Sequence, residues 1–206
     1  MYHLGYFALI LGAYLLGSSN MAYYLSKLAK KDMRNNGSCN LGASNALVLM
    51  GWQAGVLVGI HDIGKAVLSV LLAAWLFPTL PYAPILTGVA CILGHIYPFY
   101  LKFKGGKGLA SYIGMTIALN WELALVVLVV LVVVTLISNY IVVGTVSTVV
   151  SVPIGMFILT GNVITALILC IPTVIILLKH RVNFVRIRNG TEVGLRSAVK
   201  GEHKMK

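Results

Sequence analysis

Acidic residues are nearly missing from this chain: five Asp and Glu stand among 206 residues, against 16 Lys and Arg, and charge of either sign reaches only 10%. So little charge, with 59% hydrophobic residues and a mean hydropathy of +0.92, excludes an ordinary soluble globular domain. Cysteine is scarce as well. Cys39, Cys91 and Cys170 are odd in number and widely separated, two of them inside apolar stretches, which argues against a disulfide framework or a zinc site and leaves small packing residues. No Lys or Arg precedes the first apolar run, which continues for a full membrane thickness, so it reads as a span rather than a cleaved signal peptide. The runs also lack the alternation of barrel strands, and a helical bundle is then the way to satisfy the backbone in lipid.

Apolar runs are what the chain has instead. They cover Tyr2–Leu25, Ala46–Phe77, Ala83–Leu101, Leu109–Leu119, Trp121–Ser138, Tyr140–Thr160 and Val163–Leu178, separated by Gly, Pro, Asn or charge. This predicts an all-α polytopic membrane protein of about seven transmembrane helices, one domain over residues 1–206 with a basic tail from residue 181. Leu109–Leu119 is short for a hydrocarbon core of about 30 Å, and Ala46–Phe77 has room for an interfacial segment before it spans.

The formal net charge is +11, which suits nucleic acid, anionic lipid or an anionic substrate, and its distribution decides. Lys27, Lys30, Lys31 and Arg34 form one group; Lys102, Lys104 and Lys107 a second; Lys179, Arg181, Arg186, Arg188, Arg196, Lys200, Lys204 and Lys206 a third. Only Lys65 stands apart. With seven crossings the three basic loops share one side, and by the positive-inside rule that side is cytoplasmic. The amino terminus is then outside and the carboxyl terminus inside. The opposite loops, around Pro78–Tyr82, Asn120–Glu122 and Thr160–Asn162, contain no Lys or Arg. Membrane lipids and anionic small molecules are the partners this pattern suggests, not nucleic acid.

Interleaved Gly, Ser and Asn carry these clusters beyond topology. Arg34-Asn35-Asn36-Gly37-Ser38-Cys39-Asn40-Leu41-Gly42-Ala43-Ser44-Asn45 is too rich in turn formers for a helix, and its hydroxyls, amides and exposed N–H groups just before a helix are the parts of an anion nest. Gly94, His95 and Pro98 end the third run, and Lys104-Gly105-Gly106-Lys107-Gly108 leads into the fourth. Glycines there let backbone approach a phosphate and the lysines supply charge, although Gly108 after Lys107 excludes a Walker A loop. A flexible basic loop touching lipid headgroups is the plainer alternative. In the third cluster, His180 and Asn183 share a face if the last helix runs through them, while its arginines serve at least as an anchor. Asp62 and Lys65, also three apart, are expected to form a mutual ion pair at membrane depth; in a functional alternative Lys65 faces the site from below.

Together the clusters resemble the bacterial acyl-phosphate:glycerol-3-phosphate acyltransferases, a small seven-helix family, over nearly the whole chain. Its motif R-x-x-G-S-G-N-x-G-A-T-N is matched from Arg34 to Asn45, G-H-x-x-P with F-K-G-G-K-G from Gly94 to Pro98 and Phe103 to Gly108, and H-x-x-N-x-x-R by His180, Asn183 and Arg186. The departures are Cys39 for a glycine, Ser44 for a threonine, Val48 where an arginine is frequent, Gly194 where a lysine is usual, and apolar residues after Tyr140 where a serine is common.

The resemblance implies transfer of an acyl group from acyl phosphate to the 1-hydroxyl of glycerol 3-phosphate, giving lysophosphatidic acid at the cytoplasmic face of the bacterial inner membrane, with no cofactor and no metal. Phosphate binding falls to Lys104, Gly105, Gly106, Lys107, Gly108, Arg34, Asn40 and Arg186, with the Gly105 and Gly106 amides as donors; His180, Asn183 and Ser38 are the catalytic candidates. An acyl phosphate is already activated, so positioning and charge neutralisation suffice without an acyl-enzyme. His180, His95 or a substrate phosphate remain open as the base. No histidine begins the H-x-x-x-x-D pattern of the acyl-CoA-dependent enzymes. The competing readings are a divergent copy with another phosphorylated acceptor or none, and a transporter of phosphorylated solutes. A transporter is disfavoured because the chain lacks an evident internal repeat.

Overall fold

The computed structural model describes residues 2–199, and over these residues it is built of helices joined by turns. The α-helices are α1 (Tyr2–Ser18), α2 (Met21–Leu28), α3 (Ala43–Met50), α4 (Trp52–Leu76), α5 (Ala83–Ile96), α6 (Leu109–Leu119), α7 (Trp121–Ser138), α8 (Ile141–Thr160), α9 (Val163–Arg188) and α10 (Leu195–Val199), with a 3-10 turn at Phe99–Leu101. Six helical stretches have the length and hydropathy to cross a bilayer, while Leu109–Leu119 is a shorter apolar helix. The seven expected helices thus resolve into six full-length spans and one short segment.

Two runs are divided where the sequence offers polar competition for the helix ladder. The first, Tyr2–Leu25, breaks at Ser19-Asn20 because Asn20 caps a new helix, its Oδ1 accepting from the Tyr23 N–H at 2.8 Å. The second, Ala46–Phe77, divides at Gly51 into short α3 and the 25-residue α4, the division expected of an interfacial segment ahead of a span. α7 and α9 are likewise started by asparagines, Asn120 and Asn162, each accepting from the N–H three residues on.

The last apolar run ends at Leu178, whereas α9 continues to Arg188, into the basic segment that begins at residue 181. Lys179, Arg181 and Arg186 lower the hydropathy but are good helix formers, so apolarity stops before helicity does. Lys200, Lys204 and Lys206 lie outside the described residues.

The chain separates into two compact units, one ending at Leu119 and one beginning at Asn120. In the first, α4 packs against α1, α3, α5 and α6, and α1 lies along α5. The α1 and α5 backbones touch: a Cβ on Gly17 would collide with the Cys91 backbone, and one on Gly94 with the Tyr14 carbonyl. Val58, Ala66, Val70, Ile92, Tyr112 and Met115 fill this unit. In the second, α8 packs against both α7 and α9 around Val127, Val149, Val152, Leu169 and Ile176.

Candidate functional site

The first loop is organised by Asn45, which is 1% exposed. Its Nδ2 donates to the carbonyls of Met33 (2.9 Å), Asn36 (3.2 Å) and Asn40 (3.0 Å), and its Oδ1 accepts from the Ser38 N–H at 2.9 Å. One side chain at the head of α3 thereby holds the loop in its turns. Asp32 starts the loop, accepting from the Arg34 N–H at 2.9 Å and the Asn35 amide at 2.6 Å. These bonds, the Asn35 amide foremost, hold the Asp32 carboxyl below the usual carboxylate range. Arg34 is exposed, its guanidinium 5.4 Å from the Tyr23 ring centroid, and Ser38 and Asn40 are half-buried. Cys39 has φ +55°, the left-handed region.

The second loop folds back on the end of α5. The 3-10 turn after Pro98 leads into two left-handed residues, Lys102 and Phe103, and the chain then runs beside His95 and Ile96. The Gly105 N–H donates to the Ile96 carbonyl and the Gly106 N–H to the His95 carbonyl, both at 3.1 Å. This corrects the expectation that those two amides hold phosphate: they are engaged within the fold, and the glycines are there for clearance. A Cβ on Gly105 would strike the His95 carbonyl and the Pro98 ring, and one on Gly106 would strike the His95 imidazole. Lys104 is exposed and Lys107 half-buried. Gly108 opens α6, whose first-turn N–H groups lie beyond the reach of the helix's own carbonyls.

The two loops are one structure. Met33 and Leu41 of the first are buried with Ala22, Ala46, Val58 and Leu101, and the Leu41 carbonyl backs onto Gly106.

In the second unit, His180 and Asn183 are both buried on one face of α9, as their spacing predicted. His180 Nδ1 lies 2.9 Å from the Ile176 carbonyl, an acceptor only, so Nδ1 carries a proton. Asn183 donates to Glu192 Oε1 at 2.6 Å. The Arg186 carbonyl receives the N–H groups of Thr191 and Glu192, which turns the chain back beneath the helix. Asn45 and Glu192 are functional residues that residue type alone does not single out: Asn45 closes the first motif and Glu192 lies beyond the third, and only the folded chain shows what each binds.

The chain matches the family profile described as glycerol-3-phosphate acyltransferase over residues 7–190. The chain belongs to the glycerol-3-phosphate acyltransferase family. Relatives of that name include one from Staphylococcus haemolyticus, 34% identical and covering 87% of this chain and 93% of the relative. Another, glycerol-3-phosphate acyltransferase 2 of Bacillus anthracis, is 41% identical over 87% of this chain and 94% of its own. The crystal structure of PlsY (YgiH), an integral membrane glycerol 3-phosphate acyltransferase in its glycerol 3-phosphate form, is similar with a TM-score of 0.88 and 32% identity over 92% of this chain and 95% of that one. Its lysophosphatidic acid form gives 0.85 at 30% identity over the same shares.

Two departures from the glycerol-3-phosphate acyltransferase pattern fall where the local geometry is demanding. Cys39 occupies a left-handed position, a conformation that glycine adopts without strain and cysteine does not. Gly194 replaces a lysine where a Cβ would collide with the Asn139 side chain, and Asn139 itself receives the N–H groups of Leu195 and Arg196 at 2.7 and 2.9 Å. Val48 is exposed on α3, and of the apolar residues after Tyr140, Ile141 is exposed and Val142 buried; nothing in the structure explains those changes.

Proposed function

We propose that this multi-pass membrane acyltransferase moves an acyl group from acyl phosphate to the 1-hydroxyl of glycerol 3-phosphate, at the cytoplasmic face of the bacterial inner membrane. The hydroxyl oxygen attacks the acyl carbonyl, the carbon–oxygen bond to phosphate breaks, and inorganic phosphate and lysophosphatidic acid leave. The observation that carries this reading is the solved relative, which was captured with glycerol 3-phosphate and with lysophosphatidic acid, the acceptor and product of such a transfer.

Each group has a role that its chemistry suits. Lys104 and Lys107, with Gly108 at the head of α6, neutralise phosphate, while Gly105 and Gly106 shape the loop that presents them. Arg34, Ser38 and Asn40 add donors from the loop that Asn45 holds, and Arg186 adds charge. His180, its Nδ1 held by the Ile176 carbonyl, orients the acceptor hydroxyl, and the departing phosphate takes the proton up. Asn183, held by Glu192, orients the acceptor. The donor is activated before it binds, so no acyl-enzyme is needed.

Purified membranes given palmitoyl phosphate and labelled glycerol 3-phosphate should yield labelled lysophosphatidate. Lys107→Ala should lower kcat/KM for glycerol 3-phosphate by about 100-fold, the loss of a charged hydrogen bond in a dry site. Equal yields from both proteins would reject the role given to Lys107, and palmitoyl-CoA working in place of palmitoyl phosphate would reject the donor.

A further inference from the structure

Lys65 is the one Lys or Arg outside the three basic clusters, and it is buried, 4% exposed, along α4. Its ammonium has three acceptors in reach: the Ser19 carbonyl at 2.8 Å, Asp62 Oδ1 at 2.8 Å and His95 Nδ1 at 3.0 Å. An ammonium has three N–H donors, so each has a partner. The Ser19 carbonyl is available because α1 ends at Ser18 and Asn20 starts a new helix. The expected Asp62–Lys65 pair is therefore present, and it is also wired to the histidine of the second motif.

The direction of the hydrogen bond at His95 follows from this geometry. An ammonium can only donate, so Nδ1 accepts and the ring proton sits on Nε2. Asp62 Oδ1 lies 3.3 Å from the same Nδ1, and both stand within reach of the one ammonium. On the flank, His61 Nδ1 faces Asp62 Oδ1 at 3.4 Å and its Nε2 faces the Ser19 hydroxyl at 3.1 Å. His95 Nε2 lies where a Gly106 side chain would be, on the loop that carries Lys104 and Lys107.

We propose that the buried Asp62–Lys65 pair is a positioning device for the phosphate loop. It locks His95 as the Nε2–H tautomer, so that a neutral donor fronts Gly106, on the loop whose Lys104 and Lys107 hold the phosphate of glycerol 3-phosphate. Stability alone does not account for such a pair, since apolar residues in place of a buried ion pair are commonly neutral or stabilising. The same tautomer removes His95 from the candidates for the base, because its Nε2 has no lone pair to offer. The inference rests on the reading that the glycine–lysine loop binds glycerol 3-phosphate.

The test is the double variant Asp62→Leu/Lys65→Met, which removes both charges together and leaves neither buried alone. It should unfold in detergent at the parental temperature or above, with KM for glycerol 3-phosphate raised about tenfold and kcat within about threefold, the loss of one oriented donor. Nitrogen-15 spectra of histidine-labelled parent protein, with His95 assigned through His95→Asn, should show the neutral Nε2–H pattern, and in the double variant a tautomer mixture. A parental KM in the double variant, or an Nδ1–H pattern for His95 in the parent, overturns the proposal. An unchanged KM in Lys107→Ala instead overturns the phosphate-loop reading, and with it this role for His95, whatever the tautomer.

Discussion

Among single residues, Asn45 does more for the first loop than any charged group in it. Removing its amide in Asn45→Ala strands the Ser38 N–H and three carbonyls that it bonds. The expected result is a loss of about 2–4 kcal/mol, read as a lower unfolding temperature in detergent, together with a raised KM for glycerol 3-phosphate. Cys39 works the other way. A non-glycine residue at φ +55° is strained, so Cys39→Gly should stabilise the loop by up to about 1 kcal/mol with activity retained. A fall in unfolding temperature on that change would show that the thiol has a role of its own. The motif itself was legible in the sequence, because Gly, Ser and Asn in that density speak for a loop. Which asparagine organises it was not legible, since burial and donor direction appear only when the loop is closed.

For whole elements, the sequence was a good guide to where helices lie and a poor one to where they stop or break. Trp121–Ser138 and Leu109–Leu119 have the bounds read from hydropathy, because there apolarity and helicity end together at Asn or Gly. α9 outruns its apolar stretch since charged residues interrupt hydropathy without interrupting the ladder, and the first span breaks at Ser19-Asn20 inside a stretch that hydropathy reads as continuous. The second loop was misjudged for a related reason: glycine-rich composition suggested free amides, whereas the fold spends the Gly105 and Gly106 amides on the carbonyls that end α5. Just past the end of α9, Glu192 reaches back to Asn183 at 2.6 Å. Glu192→Ala should lower kcat by about tenfold or more, with the helix content by circular dichroism unchanged, because the loss falls on the orientation of Asn183 rather than on the helix.

Across the whole molecule, sidedness is the expectation with the widest reach, and the three cysteines provide a test of it. Cys39 is exposed in the first loop, Cys91 is buried and Cys170 lies within a span. A membrane-impermeant maleimide should label Cys39 in inverted vesicles and leave it untouched in intact spheroplasts; the reverse would place the basic loops outside and end the cytoplasmic assignment. The net charge of +11 with so few acids suits a protein that draws two anions toward one surface, so the apparent KM for glycerol 3-phosphate should rise with salt. The length of α9 has a consequence of its own. Its 26 residues amount to a rod of about 39 Å, against a hydrocarbon layer of about 30 Å. His180, eighteenth along that rod, therefore falls near the depth where oil gives way to water. In the proposed reaction one reactant comes from the lipid and the other from water, and a helix long enough to cross that boundary lets a histidine wait at the level both can reach.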